Sequence, residues 1–148
     1  MDGNICELCA ATGGTILWES PTCRIVRVDD PHYPGFCRVI WTAHVREMTD
    51  LDPGERQGLM NVVFAVEKTV RSLFAPDKVN LASFGNMTPH LHWHVIPRWH
   101  DDRNFPEPVW GNVQRENPPR QRAVVADDTL RQALRKQLHP EENQGGTT

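Results

Sequence analysis

The stretch "PHLHWHVIPR", residues 89–98, decides how the chain is read. Three of its seven histidines, His90, His92 and His94, fall on alternate positions, interleaved with Leu91, Trp93 and Val95. In an extended strand, residues i and i+2 share a face about 6.5–7 Å apart. The spacing therefore predicts imidazoles lining one side of a strand and apolar groups meeting a core on the other. The plain alternative, a polar strand face with incidental histidines, fits one such residue far better than three in strict alternation.

Working outward, "VNLASF" (79–84) is a strand pattern and "GNMTP" (85–89) a tight loop leading into the histidine strand. Upstream, "TILWE" (15–19), "CRIVRV" (23–28) and "FCRVIWT" (36–42) carry alternating or β-favouring residues, and "DDPHYPG" (29–35) is a loop by its Asp, Pro and Gly content. One long helix opens at "DLDPGERQ". There Asp52 suits the N-cap, Pro53 the first helical position, and Glu55 the capping-box acid. Leu59, Val63, Val66, Val70 and Leu73 then repeat at spacings of four and three, with Glu67, Lys68 and Arg71 on the wet side. Pro76 ends this helix. Residues 100–122 are proline-rich and expected to be irregular, and "DDTLRQALRKQL" (127–138) forms a short helix with leucines four apart. The last ten residues, 139–148, have a disordered composition. Hairpin-length connections and one long helix in the order β-β-β-α-β-β predict an α+β domain over residues 1–138. Its sheet is antiparallel, of about five strands.

Composition narrows the function classes. At 148 residues the chain can bury one sizeable core. A net charge of -3 does not favour non-specific nucleic-acid binding. No apolar run approaches the length of a membrane span, and "MDGNICELC" lacks a signal-peptide pattern, so a cytoplasmic, non-membrane protein is expected. Cys6 and Cys9 form a C-x-x-C, whereas Cys23 and Cys37 sit singly in strand patterns as small buried hydrophobes.

Two chemical readings of the histidine strand stand on the residues alone. H-x-H can present two nitrogen ligands to zinc. Alternatively, a neutral imidazole held in one tautomer by a bond at its other nitrogen is a competent nucleophile. A metal hydrolase would want carboxylate ligands nearby, yet the closest acids, Asp101 and Asp102, lie beyond the strand end. The nucleophile reading is ranked first.

At this point "HLHWHVI" resembles the H-φ-H-φ-H-φ-φ signature of the histidine-triad (HIT) family of nucleotide hydrolases and transferases. The likeness covers roughly residues 5–98, taking in "VIWTAHVREMTDL", "VN" at 79–80 and "GN" at 85–86. It implies that His92 attacks the α-phosphorus of a nucleoside 5'-phosphate derivative, of dinucleoside polyphosphate or phosphoramidate type, giving a nucleotidyl-histidine that water hydrolyses. It also implies that His94 contacts phosphate or leaving group, with its backbone carbonyl fixing the His92 tautomer. Asn80 would bind phosphate or leaving group, and Gly85, Asn86 and the amides around Thr88 would form an anion-holding concavity. No magnesium is required in that scheme. For relatives with an N-terminal C-x-x-C the likeness implies a structural zinc, whose ligands here would be Cys6, Cys9, His44 and His90. A closed Cys₂His₂ set suits that role. Two-fold dimers are also implied.

The chain departs from the family pattern at two places. Phe36 in "YPGF" stands where many relatives have histidine, so it can shape the pocket but cannot pass a proton. Met87 stands where relatives often place Ser or Thr, with Thr88 beside it as a stand-in. These departures keep open an alternative: a nucleotide- or zinc-binding protein of the same fold with impaired turnover. Asp29 and Asp30 are turn formers, one of which would accept a ribose hydroxyl. Phe105 and Trp110 either cover the nucleotide pocket or pin a loop. Arg98 either attracts phosphate or is solvated, and Arg115, Arg120 and Arg122 are expected to be solvated.

Overall fold

The structure, a computed structural model, describes residues 5–116 and 121–138. Nine elements follow one another: α1 (Glu7–Ala10), β1 (Thr15–Glu19), β2 (Cys23–Arg27), β3 (Cys37–Trp41), a 3-10 turn (Met48–Asp50), α2 (Pro53–Phe74), β4 (Lys78–Ala82), β5 (His92–Arg98) and α3 (Asp127–Leu138). The strands form one antiparallel sheet in the order β1-β2-β3-β5-β4. The α+β architecture expected from the sequence is the one observed, with one long and one short helix packed on one face of the sheet. The expected tail, 139–148, lies outside the described residues.

Alternation sorts the two faces. Val39, Val95 and Ile25 point toward α2 and join Leu59, Val63, Val66, Val70 and Phe74 in the main core. Each such side chain taken out of water contributes about 1.5–3 kcal/mol. Leu130 and Leu134 of α3 close the same core from the side. The helix starts as its sequence dictates: Asp52 Oδ1 accepts from the Glu55 amide at 2.8 Å and Glu55 returns a bond to the Asp52 amide at 2.9 Å. It ends one residue before Pro76, at Ala75 in the left-handed region. The turn before β3 needs Gly35: its φ is +91°, and a Cβ there would lie 2.8 Å from the Phe74 ring.

Two local expectations change. The histidine strand begins at His92, because the His90 amide bonds to the Thr88 carbonyl and the Leu91 amide to Val45. The N-terminal C-x-x-C, expected as loop, forms the single helical turn α1. Arg24 holds that turn in place by donating to the carbonyls of Leu8, Ala11 and Thr12.

Candidate functional site

The face of the sheet opposite α2 carries the candidate site. Register pairs His92 with Ile40 and His94 with Arg38 across β5 and β3, so these four side chains share that face. Over it opens a cavity of about 830 Å³, lined by His92, His94, Arg38, the loop Phe84–Thr88, Trp110 and residues of the α1 segment. That volume lies in the range of small-molecule sites. Ser83, in the loop leaving β4, ties that loop to the histidine strand by donating to the His92 carbonyl at 2.7 Å.

His92 is oriented by one bond. Its Nδ1 lies 2.5 Å from the His90 carbonyl oxygen, which can only accept, so Nδ1 carries the proton and Nε2 the lone pair. The sequence expectation assigned this role to the His94 carbonyl. The two-residue reach back to His90 is possible because the chain turns at Thr88–His90 before the ladder begins. His94 stands beside His92, ring centroids 4.8 Å apart, with its Nδ1 buried and without a hydrogen-bond partner. Burial foremost, with the neighbouring His92 ring and the Arg38 guanidinium disfavouring a second positive charge, pushes the His94 imidazole down to about 4, so it is neutral at pH 7.

The third histidine faces away from the cavity. His90 is buried, its Nε2 on the Trp41 carbonyl at 2.5 Å and its Nδ1 3.4 Å from both Cys6 Sγ and Cys9 Sγ. His44 Nδ1 lies 3.3 Å from His90 Nδ1 and 3.4 Å from Cys9 Sγ. All four donor atoms fall within 4.8 Å of one another, a candidate Cys₂His₂ metal cluster. Tetrahedral zinc, with bonds of about 2.0–2.1 Å to nitrogen and 2.3 Å to sulfur, separates ligand atoms by about 3.3 Å (N···N) and 3.5 Å (S···N). The edges from His90 to Cys6, Cys9 and His44, and the edge from Cys9 to His44, have those lengths. The Trp41 carbonyl leaves the His90 Nδ1 lone pair facing the thiols, as an outer-shell partner of a metal ligand does. Burial and the adjacent Cys6 thiol push the Cys9 thiol up, while burial holds His90 down despite the Trp41 carbonyl. Two adjacent thiols, the Cys9 one held up, and a neutral imidazole are a donor set that a divalent cation would settle.

The remaining expected site residues divide. Gly85, Asn86 and Thr88 line the cavity, and Gly85 has the positive φ, +74°, that the loop requires. Phe36 is buried and meets His94 edge-on, centroids 5.8 Å apart, so it packs behind the triad. Asp30 is occupied in its turn, accepting from the His32 amide at 2.9 Å, and does not line the cavity. Asn80 lines an adjoining hollow with Ile96 and Trp110, its Oδ1 accepting from Arg98 Nη1 at 2.8 Å. Arg98 is neither solvated nor offered to phosphate. It is buried against Asp102, at 2.7 Å, and donates to the Glu107 carbonyl. Asp102 also accepts from the amides of Trp99, Asn104 and Phe105, so this network holds the irregular 99–111 segment and delivers Trp110 to the cavity, 4.9 Å from the His94 ring. Phe105 packs on His100 instead. Arg122, expected to be solvated, bridges Asp101 at 2.6 Å and lies 4.3 Å over the Trp99 ring. Arg115 donates to the carbonyls of Asp102 and Phe105; Arg120 lies outside the described residues. Sequence reading passed over Arg38, Phe84 and Ser83. The signal for Arg38 was a cation inside an otherwise apolar central-strand pattern.

Residues 12–101 match the HIT domain family model. The chain belongs to the HIT family. Among curated proteins it is 31% identical over 81 residues to an AP-4-A phosphorylase of Mycobacterium tuberculosis, covering 51% of this chain and 42% of that protein. The chain thus spans less than half the length of this relative. A solved histidine triad protein from Marinobacter aquaeolei is 27% identical, covers 95% of this chain and 96% of its own, and superposes with a TM-score of 0.64. A zinc-bound histidine triad family protein from Mycobacterium smegmatis is 20% identical, covers 94% and 96%, and superposes with a TM-score of 0.58. Among the described residues no helix is long and apolar enough to cross a membrane.

Proposed function

We propose that this HIT-family chain is a nucleotidyl hydrolase or transferase. It would cleave a nucleoside 5'-phosphate derivative, of dinucleoside polyphosphate or phosphoramidate type, through a covalent nucleotidyl-histidine on His92. The observation that carries the reading is the bond from His92 Nδ1 to the His90 carbonyl in a residue that lines the cavity. It leaves Nε2 as the lone-pair nitrogen and stabilises the Nδ1–H that the ring must keep once Nε2 is bonded. In the first step the Nε2 lone pair forms a P–N bond as the bond from α-phosphorus to the leaving group breaks, and the leaving group departs with the electron pair and takes up a proton. Water then attacks phosphorus, the P–N bond breaks, and the nucleoside monophosphate leaves. Dividing one displacement into two lets the same in-line geometry serve each half. His94, neutral and adjacent, would hydrogen-bond a phosphate oxygen, a role its position 4.8 Å from the His92 ring supports. The loop Gly85–Thr88 supplies the opposing wall. The M. tuberculosis relative, named for AP-4-A, supports a dinucleoside polyphosphate as the first substrate to try.

The four-donor cluster is read as a structural zinc site, held by Cys6, Cys9, His44 and His90. Support comes from the 3.3–3.4 Å edges joining His90 to the other three donors and Cys9 to His44, and from the zinc-bound M. smegmatis neighbour. Bound zinc would supply a fixed cross-link between α1, the segment after β3 and the turn before β5. His90 would then be anchored at its ring while its carbonyl orients His92. The two-fold dimer belongs to the same reading, supported by the open edge strand β4 and the half-exposed Phe64 on α2.

The test is intact-mass analysis after incubation with diadenosine tetraphosphate or adenosine 5'-phosphoramidate. Wild type should gain one nucleotidyl mass, and His92→Ala should not, while melting as wild type does. Binding without adduct or turnover would favour a nucleotide-binding protein that has lost the reaction.

A further inference from the structure

The cavity, which the proposed function fills with an anionic substrate, is poor in positive charge. Among the described residues lining it, Arg38 is the only cationic side chain, and Glu7 the only carboxylate. The neighbouring His94 is neutral near pH 7, so it cannot supply a full charge. Arg38 belongs to the face that carries His92 and His94, directly across the β3–β5 ladder from His94. Its Cβ lies diagonal to that of His92, a separation of about 7–8 Å that a long side chain spans. Nη1 donates to the Gly13 carbonyl at 3.1 Å, and a Cβ on Gly13 would meet Ile40, the register partner of His92. The guanidinium is thus drawn along the sheet toward the nucleophile's row.

Its bonding is incomplete. Arg24, one strand away on the same face, donates from Nε and Nη2 to three carbonyls of the N-terminal segment. Arg38 has one backbone acceptor, and its Nε is buried with none. No carboxylate lies within ion-pair distance of it among the described residues. Glu7 acts on it only at longer range, and burial pulls the guanidinium pKa down. A partly desolvated cation without a paired anion costs free energy unless a ligand provides one.

We propose that Arg38 is a specificity-determining residue that recognises an anionic phosphate oxygen of the substrate. It would thereby favour 5'-phosphorylated nucleosides over the nucleosides themselves. This rests on the nucleotide-processing reading above for the cavity's occupant, but it concerns binding and not transfer.

The experiment measures dissociation constants by calorimetry for AMP and adenosine, with GMP and guanosine alongside, on the full chain. AMP and GMP are not turned over, so a chain unable to form the His92 adduct can still pass, and adduct formation can survive if Arg38 proves irrelevant. Arg38→Met should weaken both monophosphates about 10- to 100-fold and leave both nucleosides unchanged, the effect of removing one charged hydrogen-bonding partner. Arg38→Lys should recover part of that loss, and raised salt should weaken wild type more than Arg38→Met. Arg38→Gln gives the same comparison should Arg38→Met not fold. Equal losses for nucleosides and monophosphates would overturn the proposal in favour of a base-edge contact. Unchanged affinities would overturn it in favour of a structural tie to Gly13, and so would a wild type that binds neither monophosphate.

Discussion

Asp102→Ala tests whether the proline-rich segment is part of the folded core. The Asp102 side chain is fully shielded from solvent and that of Arg98 nearly so, at 0% and 3% exposure. The carboxylate accepts from Arg98 Nε at 2.7 Å and Nη2 at 3.1 Å, from the Tyr33 hydroxyl at 3.1 Å, and from three backbone amides. Removing one partner of a buried ion pair costs about 3–5 kcal/mol, because the other charge stays buried. Arg98 keeps Asn80 Oδ1 and the Glu107 carbonyl, which draws the estimate toward about 3 kcal/mol. The orphaned amides of Trp99 and Phe105 add back about 1 kcal/mol where water does not reach them, while that of Asn104 keeps the Tyr33 hydroxyl at 3.2 Å. Asp102→Ala should therefore lower urea stability at pH 7 by about 3–4 kcal/mol, and Asp102→Asn, which keeps an acceptor but loses the charge, by less. The pH dependence has a definite sign. Burial raises the Asp102 pKa, but the Arg98 guanidinium and the amide donors outweigh it and hold the carboxyl below its ordinary value. Its stabilisation is thus present above the unfolded-state value and lost as pH falls through the folded one. The gap between wild type and Asp102→Ala should close in that acid range. A loss below about 1 kcal/mol at pH 7 would mean that the segment is a solvated loop whose anchoring contributes nothing, and the account of how Trp110 reaches the cavity would fall with it.

Two further outcomes follow from the site. Cys9→Ser should abolish the one-to-one zinc content expected of protein purified without added metal. It should lower the melting temperature, and a strong chelator should reproduce the shift in wild type but not in the variant; equal chelator response in both would place the metal elsewhere. For His94, the folded imidazole sits at about 4 against an ordinary value near 6.5, so the folded state binds fewer protons and stability falls as pH drops from 6.5 toward 4. Between pH 7.5 and 5 this amounts to about 2 kcal/mol. Unfolding free energies from urea titrations of wild type and His94→Gln should converge by that amount, the difference cancelling other titrating groups, and parallel curves would refute the assignment.

The fold was legible where a residue's role depends on its neighbours in sequence. Asp52, Pro53 and Glu55 announce a helix start by local hydrogen bonding. The stripe from Leu59 to Val70 announces its buried face, and Gly35 marks a turn only glycine can make. The triad was legible because alternation on a strand is also local, and the partition of Leu91, Trp93 and Val95 from the histidines followed from it. What the sequence could not carry was register. The cluster of Cys6 and Cys9 with His44 and His90 joins residues up to 84 positions apart, and only the family resemblance proposed it before the fold did. Nothing in "FCRVIWT" says that Arg38 will stand opposite His94; that depends on which residue of β3 meets which residue of β5. The same holds for Arg98, left between phosphate and solvent, and for Arg122, expected in solvent; their fates were set by Asp102 and by Asp101 with Trp99.

The histidine strand itself shows why register matters for function. Read as a uniform run, three imidazoles on one face look like three copies of one group. The turn at Thr88–His90 divides them: His90 rotates into the cysteine cluster and offers only its carbonyl to the site, His92 takes that carbonyl and exposes Nε2, and His94 is buried into neutrality. One sequence pattern thus yields a candidate ligand, a candidate nucleophile and an uncharged hydrogen-bonding neighbour. The proposed chemistry depends on that division, because three equivalent histidines would repel one another on protonation and would leave none with a fixed tautomer.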